Sequence, residues 1–242
     1  MGHGEPGFWG RQTVLIVSPH ADDESFGCAG TIAKIKDAGG KVYVLLLSVG
    51  TIVQFTAGGE RKITGEVREE EFRRVMEFLG VDDHEIVYRD SRRHLRLDAL
   101  PRRELVAKIE SSCRLSLNRI NPTVVALPAV SYNQDHEAAF KAGFTACRPH
   151  LRDVRSFQRT VLSYDNPAIS WSLERDKFHP NFYVDISRFV GTKMKAVSLY
   201  RSQLKPSPHH ASLESLEFLA RVRGREISVD AAEAFVCHRL IT

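Results

Sequence analysis

Residues Thr13 to Gly30, TVLIVSPHADDESFGCAG, place His20, Asp22, Asp23 and Glu24 within five residues, directly after an apolar run. The run TVLIV shows no polar alternation, the pattern of a strand covered on both faces in a parallel sheet. In open parallel sheets the functional crevice lies outside the C-terminal strand ends. His20, Asp22 and Asp23 follow this strand at once, so the chain puts its acids where such folds keep their chemistry. Asp22 or Ser25 can cap a following helix, and acids suit a helix's first turn. Capping accounts for one acid or two, and leaves His20 beside both aspartates unexplained.

Outward from this turn the chain alternates apolar runs with amphipathic segments. Thr13–Val17 reads as the first strand, Thr31–Ala38 as a helix closed by Gly39 and Gly40, and Lys41–Ser48 as the second strand, which makes a βαβ unit. Gly50–Thr64 has no period and reads as a glycine-rich surface loop, a candidate lid. Gly65–Leu79 reads as a helix, His84–Asp90 as a strand, Asp98–Asn118 as one long helix with Pro101 in its first turn, and Pro122–Pro128 as a fourth apolar strand. His136–Arg148 returns to helical spacing. SFQRTVLSYD and NFYVDIS read as further strands, and Arg188–Tyr200 and Ala211–Arg223 as helices. The expected fold is α/β: a Rossmann-like three-layer sandwich around a mostly parallel sheet, formed by residues 1–242 as one domain with a single sizeable core.

Several anions gathered in one crevice are unfavourable unless a cation neutralises them. Imidazole and carboxylate together suit zinc or a similar divalent ion, and a catalytic site typically takes three protein ligands and leaves a position for water. The stretch YNQDHEAAF supplies a third ligand, because His136 follows the fourth strand as His20 follows the first. With one aspartate ligating, its neighbour is left beside a water whose pKa the metal lowers from about 15.7 to roughly 7, and that carboxylate can take the water's proton. This is hydrolytic machinery, and amide cleavage fits it without a nucleophilic side chain.

The same residues carry a family likeness. PHADDE is close to the PHPDDE motif of the PIG-L/LmbE-like metal-dependent deacetylases, with Ala21 in place of the second proline. The resemblance runs along almost the whole chain: Arg68 and Glu71 stand as RxxE ahead of Leu79–Gly80, and FHPNFYVDIS, KMKAVSLYRSQ and RVRGREISVDAAEAF are similar to stretches of the sugar-deacetylase branch. By this likeness His20, Asp23 and His136 are the zinc ligands, Asp22 is the general base, and the substrate is an N-acetylated amino sugar or a glycoconjugate containing one. The family's HxDH motif appears here as Asn133, Gln134, Asp135, His136. Asn133 can donate a hydrogen bond to an oxyanion and cannot transfer a proton. The leaving-group proton then comes from Asp22 or from another histidine, for which His209 in KPSPHHAS, similar to an HPRS stretch of that branch, is the candidate. Arg68 reads as a substrate clamp or as a helix-surface partner of Glu71, and Asp90 as a substrate contact. Glu24 and Asp135 read as residues that orient the ligands from behind, and Trp9, Tyr132, Trp171 and Phe178 as sugar-stacking or core aromatics. Some members of the family form hexamers, so a homo-oligomer is expected on that analogy.

Composition narrows the partners. A net charge of +4 comes with arginines spread among acids, as in REEEFRR and DSRRHLRLD, so no basic stripe for nucleic acid is present. No apolar run approaches the roughly 20 residues that cross a bilayer, and the opening MGHGEPGFWGRQ has no secretory pattern, so the expectation is a cytoplasmic protein without an integral membrane segment. The four cysteines are scattered and read as buried thiols. A phospho-acceptor receiver domain lacks its lysine in LSYDNP, and Gly27 with Gly30 lacks dinucleotide-binding spacing. Cleavage of another N-acyl or thiol-conjugate amide, or an idle metal-binding scaffold, remains open as an alternative to deacetylation.

Overall fold

In the computed structural model, residues 7–56, 58–151, 153–171 and 178–242 are described. The elements follow in the order β1 (Thr13–Ser18), α1 (Asp23–Asp37), β2 (Lys41–Ser48), β3 (Ile52–Thr56), β4 (Gly59–Ile63), α2 (Gly65–Phe78), β5 (Asp83–Tyr88), α3 (Arg102–Ala107), α4 (Leu117–Ile120), β6 (Val124–Pro128), α5 (Gln134–Ala146), β7 (Thr160–Tyr164), β8 (Phe182–Asp185), α6 (Val190–Ser198), α7 (Leu213–Arg225) and β9 (Ala232–Leu240). Seven strands form one sheet in the order β5-β2-β1-β6-β7-β9-β8. The first five run parallel, and β9 pairs antiparallel with both β7 and β8.

Strand alternation divides the core. Val14 and Ile16, Val42, Val44 and Leu46, and Val124 and Ala126 face one side, where Ile32, Phe72, Val75 and Ala196 cover them. Leu15 and Val17, Leu45 and Leu47, and Val125 and Leu127 face the other, under Leu105, Ile109, Ala139 and Ala142. Both faces are covered, which is why these strands are apolar at every position. From β1 the chain winds outward through β2 to β5, then returns to build β6 and β7 on the other side. The reversal falls between β1 and β6, and this switch point opens a crevice beyond their C-terminal ends.

Four expectations need correction. Helix α1 begins at Asp23, eight residues before the expected start at Thr31. Its glycines serve packing: a Cβ at Gly27 would stand 2.3 Å from the Tyr164 ring and 2.8 Å from the Asp165 carbonyl oxygen, and one at Gly30 would meet Ile186 at 2.7 Å. The segment expected as a loop is the antiparallel hairpin β3–β4, whose largely exposed strands bury too little to show a pattern. The long helix over residues 98–118 is interrupted: α3 passes into a π-turn at Lys108–Ser112 and the chain breaks before α4, where the Leu115 N–H donates to Glu85 at 2.7 Å. Strand β9 was not anticipated. Cys28, Cys113 and Cys147 are buried free thiols, as expected, and Cys237 is half-buried. Among the described residues no helix is long and apolar enough to cross a membrane.

The contacts at Gly27 set the sign of a substitution. On an exposed helix Gly→Ala gains about 1 kcal/mol, whereas here the added methyl strikes backbone that cannot yield, and overpacking costs about 1–3 kcal/mol. Gly27→Ala is expected to lower Tm by several degrees in a thermal melt. An unchanged or raised Tm would refute the close approach of α1 to β7.

Candidate active site

The turn between β1 and α1 aims its side chains by an uncommon backbone. Asp22 has φ 142°, a region that favours glycine, and it is the N-cap residue of α1 without a side-chain capping bond. The N–H groups of Ser25 and Phe26 bond to its carbonyl oxygen instead. Capping therefore does not explain the Asp22 carboxylate, which lines the crevice with no protein hydrogen-bond partner among the described residues. Glu24 fastens the turn from behind. Its buried carboxylate accepts from Ser18 Oγ at 3.1 Å, Ser25 Oγ at 2.8 Å, Tyr200 Oη at 2.6 Å and the Asp22 N–H at 3.3 Å.

His20, Asp23 and His136 converge at the switch point, all buried, with one ligand atom from each within 4.8 Å of the others. Asp23 Oδ2 lies 3.2 Å from both His20 Nδ1 and His136 Nε2. The atoms facing away are engaged: His20 Nε2 meets Asp135 Oδ2 at 3.0 Å, His136 Nδ1 meets Ser131 Oγ at 2.8 Å, and Asp23 Oδ1 accepts from Asn166 at 2.7 Å. Outer partners of this kind fix the tautomer and orientation of metal-binding side chains. Two imidazoles and one carboxylate, open on the cleft side, fit a divalent metal of the zinc type.

The electrostatics set neighbouring acids apart. Burial and the charge of Asp23 push Asp22 well above its ordinary range. Burial also raises Asp23, but the imidazoles of His136 and His20 override it and hold that carboxylate well below its ordinary range. Burial disfavours charge on His20, yet Asp135 and Asp23 prevail and push it up to about 9.

The expected residues do not all assemble. Asn133 lines the cleft and caps α5: its Oδ1 accepts from the Asp135 N–H at 2.9 Å, which turns its amide nitrogen away from that bond. Asp135 takes His20 on one oxygen and the Leu97 N–H on the other at 2.8 Å. Arg68 is buried in the cleft. Its Nη1 donates to the Gly50 carbonyl at 3.2 Å and to His94 Nε2, while its Nε is buried with no partner among the described residues. Glu71 is not its partner, since that carboxylate accepts from the N–H and Oγ of Ser202. Asp90 does not line the cleft: the charges of Arg92 and Arg93, two and three residues on, hold it at the surface. His209 lines the cleft, exposed, with Nδ1 accepting the Ala211 N–H at 3.0 Å. Of the aromatics, Tyr132 lines the cleft and Trp171 is exposed just past the cleft-lining Pro167 and Ala168, while Trp9 packs on Phe182 and Phe178 lies under Arg223.

One residue was missed. His94 stands edge-on to His20, ring centroids 5.2 Å apart, and its Nδ1 lies 3.0 Å from Ser48 Oγ. Burial and the Arg68 guanidinium push it down to about 2, so it is a neutral acceptor for that arginine. Its sequence signal was a histidine past the end of a strand, the same signal that marked His20 and His136, hidden among arginines in DSRRHLRL. The cleft has a volume of about 210 Å³.

Residues 15–147, more than half of the chain, match the family described as PIG-L: GlcNAc-PI de-N-acetylase. The protein belongs to that family. A diacetylchitobiose deacetylase of Thermococcus kodakarensis is 30% identical over 200 residues, covering 78% of this chain and 69% of its own. A probable N-acetyl-alpha-D-glucosaminyl L-malate deacetylase 2 of Bacillus anthracis is 25% identical over 221 residues, covering 86% and 92%. The crystal structure of the conserved protein TT1542 of Thermus thermophilus superposes with a TM-score of 0.71 at 28% identity, covering 96% of each chain.

The raised pKa of His20 gives the metal-free site a pH signature. A group raised on folding stabilises the fold fully below its unfolded value of about 6.5, and that stability is lost as pH climbs through about 9. Chelator-treated protein should lose stability across this window in urea melts, and loading zinc at pH 7.5 should release about one proton, read by calorimetry in buffers of different ionisation enthalpy. A flat profile with no proton release would overturn the assignment of His20 to the metal.

Proposed function

We propose that the protein is a zinc-dependent hydrolase that removes the acetyl group from an N-acetylated amino sugar or a metabolite containing one. The observation that carries the reading is the convergence of His20, Asp23 and His136, each tied from behind, beside an Asp22 carboxylate left free in the same cleft. The relatives' activities on diacetylchitobiose and on a glucosaminyl malate support the substrate class.

His20, Asp23 and His136 would hold a divalent cation, which when bound would supply Lewis acidity toward the acetyl carbonyl and the attacking water. Asp22 takes the proton from that water as oxygen adds to the carbonyl carbon, a task suited to a carboxylate whose pKa is raised. The Asn133 amide nitrogen donates to the developing oxyanion, with its orientation set by the cap that holds Oδ1. His209, whose Nδ1 accepts a backbone bond, offers Nε2–H to the departing nitrogen. The C–N bond breaks and leaves acetate and a free amine. Arg68, steadied by His94 and the Gly50 carbonyl, presents its remaining donors to sugar oxygens.

Asp22→Asn should cut acetate release from N-acetylglucosamine derivatives by about 10²–10⁴ with zinc still bound, the span of an acid–base catalyst; activity within tenfold of wild type would defeat the mechanism. Asp22→Gly should be equally inactive and more stable when measured with chelator. Glycine relieves a backbone strain of about 1–3 kcal/mol and costs about 0.5–1 kcal/mol in chain entropy, so a Tm rise of a few degrees is expected. His209→Ala should lower kcat by about 10²–10⁴. A loss under tenfold would hand the leaving-group proton to Asp22.

A further inference from the structure

The cleft carries more positive charge than the chemistry above consumes. On the hairpin, Gln54 of β3 pairs directly across from Arg61 of β4, so the two side chains share a face. Gln54 Oε1 accepts from Lys205 Nζ at 2.5 Å, and Gln54 Nε2 donates to the Ser202 carbonyl at 3.0 Å. Ser202 is in turn gripped by Glu71 through both its N–H and its hydroxyl. Lys205 is therefore a held cation, half-buried in the lining of the cleft. Partial burial and the charge of Arg61 both lower its pKa. Among the described residues neither Lys205 nor Arg61 has an ion-pair partner; the hydrogen bond recorded for Lys205 goes to a neutral amide.

This arrangement is unfavourable in the free protein. Ordering a lysine side chain costs entropy, and the charge of Arg61 repels that of Lys205. A staple between the hairpin and the loop after α6 needs only the amide bond of Gln54 to Ser202, and the ammonium adds nothing to it that a neutral donor could not. The cost is recovered when an anion settles between the two cations, the same logic that brings a metal to the acidic turn.

We propose that Lys205 and Arg61 form an anion subsite that receives a carboxylate or phosphate on the part of the substrate beyond the N-acetylated ring. The assignment rests on the deacetylase reading of the cleft for what sits beside the subsite. It deepens that reading by selecting substrates with an anionic aglycone over neutral glycosides.

The test uses three N-acetylglucosaminides on the zinc-loaded full chain: the neutral methyl glycoside, a carboxymethyl glycoside, and the methyl phosphodiester of N-acetylglucosamine 1-phosphate. Wild type and Lys205→Gln are compared, because glutamine keeps a donor for Gln54 and removes the charge. Acetate release gives kcat/KM, and calorimetry with the corresponding deacetylated glycosides gives binding without chemistry. The preference for an anionic over the methyl glycoside should be about tenfold or more in wild type, fall by about tenfold in the variant, and shrink with added salt. Whichever anionic glycoside shows the larger preference identifies the group. A wild type without anionic preference, a preference unmoved by Lys205→Gln, or no calorimetric binding of any glycoside would each overturn the subsite. Absence of acetate release from all three, with a charge-dependent calorimetric preference intact, would overturn the deacetylase reading and leave the subsite standing.

Discussion

Two adjacent carboxylates in one turn are the constraint on which the site depends. Asp22 and Asp23 sit at the end of a buried strand, Asp23 buried and Asp22 half-buried at the cleft, and their ionised forms repel. The fold resolves this by giving each a different environment. Asp23 is surrounded by two imidazoles and an amide and stays anionic, while Asp22 faces the cleft and holds its proton more readily. Opposed shifts on neighbouring acids give the two carboxylates different protonation behaviour within one turn, without a second strand or helix to carry it.

That separation needs the two side chains to diverge within one turn, and the backbone bears the consequence at Asp22. Strain of this kind persists only where the surroundings over-determine it. Glu24 supplies much of that determination, because its carboxylate joins Ser18 at the end of β1, Ser25 in α1 and Tyr200 just beyond α6. Deeper along α1 a second buried group fixes the helix to the C-terminal part of the chain. Glu233 of β9 accepts the Gly30 and Thr31 N–H groups, and Lys193 of α6 bonds both to Glu233 and to the Phe26 carbonyl. The elements farthest along the sequence thus hold the turn nearest its beginning.

What was legible in the sequence follows from where the stabilising energy lies. Strands β1, β2 and β6 are buried on both faces and announce themselves as apolar runs. The triad was legible because His20 and His136 stand just past two such strands, which proved to be neighbours at the switch point. Strand β9 was not, since AAEAFVCHRL owes its place to pairing with β7 and β8 and to the Lys193–Glu233 contact, none of which leaves a local pattern. Asp90 misled for the converse reason: its position after β5 was right, and arginines two and three residues away captured it. His94 went unread because its partners, Arg68 and Ser48, lie 26 and 46 residues distant and meet it only when residues 89–97 fold back over β2.

The replacement of a histidine by Asn133 then has a physical reading. The asparagine caps α5 through Oδ1 and leaves Asp135 to grip His20 and the Leu97 N–H, so the start of α5, the His20–Asp23–His136 cluster and the segment carrying His94 form one hydrogen-bonded unit. His94 cannot restore the missing proton donor. Held by burial and Arg68 as a neutral acceptor, it steadies a cation and has no proton to give at Nε2. In the deacetylase reading proposed above, proton delivery then falls to the carboxylate of Asp22 or to the exposed side of the cleft, where His209 stands four residues from the held ammonium of Lys205.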